Sequence, residues 1–424
     1  MIFKVHKFII FNTNLQFLLV MTNKTNSSIF YACCFAIFAN QAFGAGYSTD
    51  VYSASQIGNS YAGSVTGVHD VSDIFFNPSV TAGSDKTQLV ASFSYLSLRI
   101  TPSVTSPSNS NQSNDAGSNN FVPALYLTTP INKKTAFNLS INSPFGLATK
   151  YNKNWQGRYS AIESSVYTAN INPSLSYKIA DDLSIGGGLV AQFYQANLNQ
   201  AKNFGAGDSK AELIGNDWGY GYNLGVNYKI NDKLKIGAGY RSKIDYQLSG
   251  TTKIKNLNLY SKFTAKTSTP ESFTTGFSYQ LNQKVELVYD LTWTKWSRLQ
   301  NLQVNAVNPL MSSNVKFNWR DSSLNSLGAN FFLENKNIIR TGVAFEKDAI
   351  TDNNRGPRIP SGNRTWASVG FSQQIEDSLA IDYSFCHQFH RKTKINNDLN
   401  SPTSYNAQYR TQSDALSIAI KKDF

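Results

Sequence analysis

The sequence predicts an all-β protein: a transmembrane antiparallel β-barrel of about fourteen strands, with its N-terminal stretch lying in the lumen as a plug, or hatch. Three observations lead there. Long segments alternate apolar and polar residues with period two; short polar turns recur about every fifty residues, with long polar stretches between them; and the chain ends on an alternating strand, "ALSIAIKKDF", closed by Phe424. Composition agrees. Of 424 residues 41% are hydrophobic and 13% aromatic but only 16% are charged, and twelve prolines with abundant Asn, Ser and Thr argue against a helical body. Past the N-terminal region no run is long and apolar enough to cross a bilayer as a helix.

In chain order, the first element is an export signal. From Met21, Lys24 is followed by an apolar run over residues 29–39, then by Ala42 and Gly44 where a signal peptidase wants small residues, so cleavage is placed after Gly44 and residues 1–44 belong to the signal. Residues 1–20 read as an upstream extension from a misassigned start. The alternative, a longer signal that includes residues 9–20, is interrupted by Asn12, Asn14 and Gln16. Cys33 and Cys34 fall in the removed segment, which leaves Cys386 without a partner for an intramolecular disulfide.

Residues 45–86 precede the first strand, which begins near Thr87. They are too few to bury a core of their own. A barrel of this size leaves a lumen, so the economical place for them is inside it, where they obstruct a wide aqueous pore.

The barrel, residues 87–424, follows from its connections. "PINKK", "IADD", "INDK", "LNQK", "ENKN" and "QIEDS" are short turns, and long irregular loops separate them. Seven long loops joined by six short turns require fourteen strands, with both ends of the barrel on the short-turn side. The flanks alternate: Leu234, Ile236, Ala238, Tyr240, Ile244, Tyr246 and Leu248 share one face, against Lys233, Lys235, Arg241, Lys243, Asp245 and Gln247 on the other. Closure leaves no backbone group unpaired toward lipid. A fifty-residue period also fits a soluble β-propeller; the repeats lack its Gly-Gly or Trp-Asp elements, and one strand face is studded with aromatics.

One stretch breaks the alternation: "SPFGLATKYNKNWQGRY", residues 143–159. Pro144 has no N–H and Gly146 tolerates unusual dihedrals, so the third strand cannot continue a regular ladder there. Either the wall acquires an opening, or the strand ends and a surface loop begins.

Several blocks, in order, resemble the FadL-type family of outer-membrane transporters for long-chain fatty acids and aromatic hydrocarbons: "AGYSTDVYSASQIGNSYAG" leading to "DIFFNPSVTAG", then "PFGLATKYNKNWQGRY", "INPSLSYKIADDLSIGGGL", "YDLTWTKWSRLQNL" and "RIPSGNRTWASVGFS". The most specific are Pro144-Phe145-Gly146-Leu147, Trp155 with Gly157-Arg158-Tyr159, and Ile359-Pro360 followed by Arg364 and Trp366. The family's Asn-Pro-Ala plug motif stands here as Asn77-Pro78-Ser79, which adds a hydroxyl. The resemblance implies the outer membrane of a Gram-negative bacterium and passive transport of hydrophobic compounds, above all long-chain fatty acids. Cargo is captured among the outer loops, passes to a lumen site, and leaves sideways near Pro144, Phe145 and Gly146 when the plug around Asn77, Pro78 and Ser79 shifts. An oily molecule gains nothing from a wet channel, whereas a lateral exit delivers it to lipid. Lys150, Lys153 and Arg158, with Tyr151, Trp155 and Tyr159, would then lie at the outer interface, where aromatics anchor and cations meet lipid phosphates.

Capture falls by the same resemblance on the third and fourth long loops, with Phe204, Leu213, Ile214 and Trp218 in one and Leu257, Leu259, Tyr260 and Phe263 in the other. These residues could equally pack on each other to order the loops. A carboxylate headgroup wants a cation, and an arginine fork grips it bidentately; Arg320 and Arg241 are the candidates, ahead of Lys202 and Lys210. Arg320 could instead pair with Asp321, and without a free interior cation a neutral hydrocarbon fits better.

Removing the signal takes away three lysines and no acid, lowering the formal net charge from +12 to +9. The cations are dispersed among aromatic alternating segments, which fits anionic outer-membrane lipids including lipopolysaccharide rather than nucleic acid. A monomer is expected, with no cofactor and no metal: His69 with Asp70 and Asp73 matches no standard ligand spacing. No nucleophile elbow, phosphate loop or paired-carboxylate motif stands out, so the chain does not read as an enzyme. Two other readings remain: an adhesin or receptor barrel with an immobile plug, and an outer-membrane lipid-modifying enzyme, which would need a Ser and a His facing each other on neighbouring strands.

Overall fold

Period-two alternation in this chain becomes a cylinder wall. A computed structural model describes residues 45–108, 110–203, 205 and 207–424; the signal assigned to residues 1–44 lies outside them. The strands are β1 (Gln88–Ser106), β2 (Asn119–Pro130), β3 (Thr135–Asn142), β4 (Gly146–Lys150), β5 (Glu163–Lys178), β6 (Leu183–Asn203), β7 (Asp208–Lys229), β8 (Leu234–Arg241), β9 (Ile244–Ile254), β10 (Leu259–Thr269), β11 (Ser272–Asn282), β12 (Val285–Thr294), β13 (Asn301–Ala306), β14 (Ser313–Lys316), β15 (Ser322–Phe332), β16 (Ile338–Lys347), β17 (Arg364–Glu376), β18 (Leu379–His390), β19 (Thr393–Asn396) and β20 (Asn406–Asp423).

Fourteen of these make the wall, each antiparallel to its neighbours in the order β1, β2, β3, β5, β6, β7, β8, β11, β12, β15, β16, β17, β18, β20. The ring closes where β20 returns to β1, from Gln88↔Asp423 to Ser106↔Asn406. Closure removes the free edges that an open sheet would present to lipid. The six short turns of the sequence all join wall neighbours.

The two faces differ as their solvents do. In β20, Leu416, Ile418 and Ile420 are exposed while Ser413, Ala415, Ser417 and Ala419 are buried. In β7 the outward row Trp218, Tyr220, Tyr222, Leu224, Val226 and Tyr228 is exposed throughout, Tyr220 by 73%. In water such a stripe would be an aggregation surface; here hydrocarbon is its solvent.

Leu234 through Leu248 do not form a single apolar face. Ile236 points outward, but Ile244, Tyr246 and Leu248 are buried, because Ser242 and Lys243 interrupt the strand between β8 and β9 and turn it over. The cause is the change of solvent along the strand: within the membrane apolar side chains face out, and above it they face in while Asp245, Gln247 and Lys253 meet water. Four adjacent wall strands stop at one register row, Arg241↔Ser272↔Thr294↔Ser322. Beyond that row the sheet continues as the hairpins β9–β10 and β13–β14. Several stretches read as irregular loops are therefore strands. Their Ser, Thr, Asn and Lys content resembles loop composition because their outer face is wet.

Residues 45–86 hold a short helix, α1 (Ala54–Gly58), and two 3₁₀ turns, Ser64–Thr66 and Val71–Phe75, and are largely buried. Their hydrogen bonds reach strands around the whole ring: Tyr126 Oη to the Tyr52 carbonyl (3.2 Å), Asn227 Nδ2 to the Thr66 carbonyl (3.0 Å), Val65 N to Asp290 Oδ2 (3.0 Å) and Asn59 Nδ2 to the Thr341 carbonyl (3.1 Å).

Candidate functional site

The segment Asn77-Pro78-Ser79 rests where the wall has no side chains. A Cβ on Gly186 of β6 would lie 2.5 Å from Pro78 C, on Gly225 of β7 1.9 Å from Asn77 Oδ1, and on Gly239 of β8 1.9 Å from the Phe76 carbonyl. Glycine is required at Gly186 and Gly239 by close approach of another backbone, and at Gly225 by the Asn77 and Pro78 side chains. Asn77 Nδ2 donates to the carbonyls of Val65 (2.7 Å) and Val226 (2.9 Å), one in its own segment and one in the wall. Its Oδ1 accepts from Ser79 N (3.0 Å) and Ser79 Oγ (2.7 Å), so the serine hydroxyl has a partner and adds a bond to this turn.

Beside this segment lies a cavity of about 80 Å³ whose lining includes Tyr52, Phe75, Phe145, Ile244, Leu324 and Arg241. The Arg241 guanidinium stacks 4.2 Å over the Phe75 ring and donates through Nη1 to the Phe75 carbonyl (3.0 Å) and Asn172 Oδ1 (3.1 Å). Both acceptors are neutral. Asp50 also borders the space.

The third wall strand is broken at residues 143–145, between β3 and β4. The backbone groups that the break frees are taken up by the N-terminal segment: Thr49 N donates to the Pro144 carbonyl (3.0 Å), Gly146 N donates to the Tyr47 carbonyl (2.7 Å), and Ser48 bridges to Phe145. On the other side the β2–β3 ladder stops at Leu125↔Ile141, while β4 takes its ladder from β5. Tyr47 sits at this junction among Phe145, Trp296 and Trp319, with ring centroids 5.8, 4.9 and 6.0 Å away. Just before it, Ala45 N donates to Glu346 Oε1 (2.8 Å) and Gly46 N to Asp348 Oδ1 (3.3 Å).

A second, smaller apolar space, about 30 Å³, lies among the outer hairpins and is bordered by Leu198, Leu213, Ile254 and Met311 together with Lys202 and Arg358. Arg358 is buried and donates to Ser164 Oγ (2.9 Å) and Gln200 Oε1 (2.7 Å), again neutral acceptors. Burial pulls its guanidinium down to about 10, against the attraction of Asp398. Burial likewise lowers the Lys202 ammonium.

A family model described as "Outer membrane protein transport protein (OMPP1/FadL/TodX)" matches residues 35–424. The chain belongs to that family. Among its FadL/TodX relatives, the long-chain fatty acid transport protein of Salmonella typhi is 25% identical over 402 residues, covering 86% of this chain and 92% of that protein. A crystallised Pseudomonas aeruginosa FadL homologue has a TM-score of 0.82 at 21% identity, covering 90% of this chain and all of the other. The Pseudomonas putida toluene transporter TodX has a TM-score of 0.70 at 14% identity, covering 88% and 99%. The protein is accordingly an outer-membrane β-barrel of a transporter family for hydrophobic compounds, not an enzyme.

Against this FadL/TodX frame the candidate residues separate. Asn77, Pro78 and Ser79 sit together against the glycine-lined wall; Pro144 and Phe145 lie in the break in the third strand, and Gly146 begins β4 just past it. Arg241 borders the interior cavity. Arg320 does not: it is exposed in the connection between β14 and β15, with Nε 3.2 Å from the Asp348 carbonyl, because the wall strand begins only at Ser322. The loop-groove residues do not share one surface. Phe204 lies outside the described residues. Leu213 faces the outer pocket, but Ile214 and Trp218 point outward from β7, since the segment taken for loop is a 22-residue strand whose neighbours alternate sides. Phe263 is buried and Tyr260 exposed for the same reason; Leu257 is exposed at a 3₁₀ turn and Leu259 is half-buried.

Tyr151 and Trp155 are not interface anchors. Their rings stack at 4.3 Å inside the outer-loop core and are buried, with Trp155 Nε1 bonded to the Ala161 carbonyl (2.8 Å). Arg158 pairs with Asp208 at 2.6 Å. Arg358 was missed from sequence, although "GPRIPSG" does set a lone cation in an apolar, acid-free run.

Proposed function

We propose that this protein moves long-chain fatty acids across the outer membrane by passive diffusion along a protected path. The observation that carries the proposal is Arg241, a guanidinium over a largely apolar cavity whose own hydrogen bonds end on neutral acceptors. That environment favours an amphipathic carboxylate over a plain hydrocarbon, since the fork can add two charge-assisted bonds to the chain's burial. The outer pocket repeats the pattern with Arg358 and Lys202, which supports a capture step before entry. Residues 45–86 act as the plug, and the break at Pro144 serves as the sideways exit, coupled to the plug through Tyr47, Ser48 and Thr49.

Purified protein should bind tritiated oleate, and R241M should weaken that binding tenfold or more, the loss of one charged hydrogen-bonded partner. Toluene binding by the same variant should be unchanged. Equal loss for both ligands would refute the carboxylate role. A disulfide between Cys replacements of Ser48 and Phe145 should stop oleate uptake into proteoliposomes and be reversed by dithiothreitol; an adhesin barrel would show no uptake in either state.

A further inference from the structure

The broken third strand is one irregularity in the wall, and a second lies on a different strand pair. The β7–β8 ladder ends at Asn223↔Arg241 and the β7–β9 ladder resumes at Asn216↔Ser249. Between them residues 217–222 of β7 have no ladder partner on that side, although their other edge stays paired with β6 throughout. One backbone bond and two polar side chains replace some of the missing ladder bonds: Ser242 N donates to the Tyr222 carbonyl (2.9 Å), Tyr222 N to Ser242 Oγ (2.9 Å) and Gln247 N to Asp217 Oδ2 (2.8 Å). The rest of the gap is filled by the Ile244 and Tyr246 side chains and the Asp245 carbonyl. A Cβ on Gly219 would lie 2.4 Å from Ile244 Cγ2 and 2.6 Å from Tyr246 Cε1, and a Cβ on Gly221 2.9 Å from Ile244 Cγ1.

The interior cavity reaches this gap. Its lining includes Arg241, Ser242 and Ile244 at one rim and Tyr222 at the other, and Tyr222 belongs to the outward, lipid-facing row of β7. At the third-strand break the cavity meets Pro144, Phe145 and the Ser48 that bridges to it, and the Phe145 ring is packed against Tyr47 and Trp296. Parting an intact ladder in hydrocarbon would strip several backbone groups at several kcal/mol each. Opening here asks for the buried Ile244 and Tyr246 side chains to change rotamer, Tyr246 releasing its bond to Gln192 Oε1 (2.7 Å), and for the one backbone bond from Ser242 N to the Tyr222 carbonyl to part.

We propose that the space between β7 and β9, framed by Gly219, Gly221, Tyr222, Ser242 and Ile244, is a second lateral exit through which a fatty acid passes from the cavity to the outer leaflet. This rests on the transport reading above. The exit lies at the register row where the wall gives way to the β9–β10 hairpin, so bending of that hairpin at Ser242 widens it.

The test uses the full-length protein with Gly221→Cys and Ser242→Cys. A Cβ at 221 would stand 2.7 Å from Ser242 Oγ, close enough for the two rims to be joined by a disulfide. In proteoliposomes the oxidised protein should take up tritiated oleate at half the reduced rate or less, and dithiothreitol should restore it. Equal rates in a verified disulfide and its reduced form would overturn the exit. As an independent readout, an oleate analogue carrying a diazirine on its chain should label the unsubstituted protein at Tyr222, Ser242 or Ile244. Labelling confined to residues 144–146 would overturn it too. No oleate uptake by the unsubstituted protein would instead defeat the transport reading itself.

Discussion

At the scale of single residues, the informative positions are those where a side chain is missing or a charge is left with neutral partners. Gly186, Gly225 and Gly239 form a bare patch on which Asn77 and Pro78 rest, so Gly239→Val should lift the turn. Single-channel conductance in planar bilayers should rise from closed to open-channel levels while the barrel still forms. Ser79→Ala removes one hydrogen bond to Asn77 and should cost about 1 kcal/mol locally, read as faster amide exchange over residues 77–82 with binding unaltered. Asn77 and Pro78 were legible because they lie in a recognisable block, and Arg241 because a carboxylate headgroup wants an arginine. Arg320 was misread because nothing in "FNWRDSS" marks where a wall strand starts, and Arg358 escaped because its burial is created by loops distant in sequence.

At the scale of elements, the N-terminal segment and the third strand behave as one unit. Processing after Gly44 would turn the Ala45 amide into an ammonium at the spot where Glu346 Oε1 now accepts at 2.8 Å. N-terminal sequencing of exported protein should therefore start at Ala45, and Glu346→Gln should loosen residues 45–49 in amide exchange. The outer end of the β6–β7 hairpin is held differently. Burial works against ionisation of Asp208, but hydrogen bonds from Arg158 and Tyr159 outweigh it and hold the carboxyl below its usual range. A depressed carboxyl contributes stability above its unfolded value that disappears as the pH falls through the folded one. Protection factors at this hairpin tip should thus be constant near neutrality and fall below about pH 4. The hairpins themselves were hidden in the sequence because a strand in water and a loop share a composition.

For the whole molecule, the sequence was most readable, since a closed barrel imposes alternation and turn spacing on every wall strand alike. What alternation alone could not reveal was which side each row faces: apolar rows look out in lipid and inward above it, and β8 with β9 shows both within one stretch. The outward row of β7 makes the distinction testable. Leu224→Arg should destabilise the folded barrel by about 2 kcal/mol or more, measured by reversible unfolding in detergent or vesicles, whereas arginine at already exposed Ser249 should change stability little.

The row Arg241↔Ser272↔Thr294↔Ser322 divides the cylinder into two storeys with separate duties. Sequence added to the tip between β13 and β14, whose ladder partners all lie above that row, need not disturb the hydrocarbon-spanning part. That tip is accordingly a natural address for a fluorophore or an inserted epitope, and a point at which cells carrying the protein could be captured from outside.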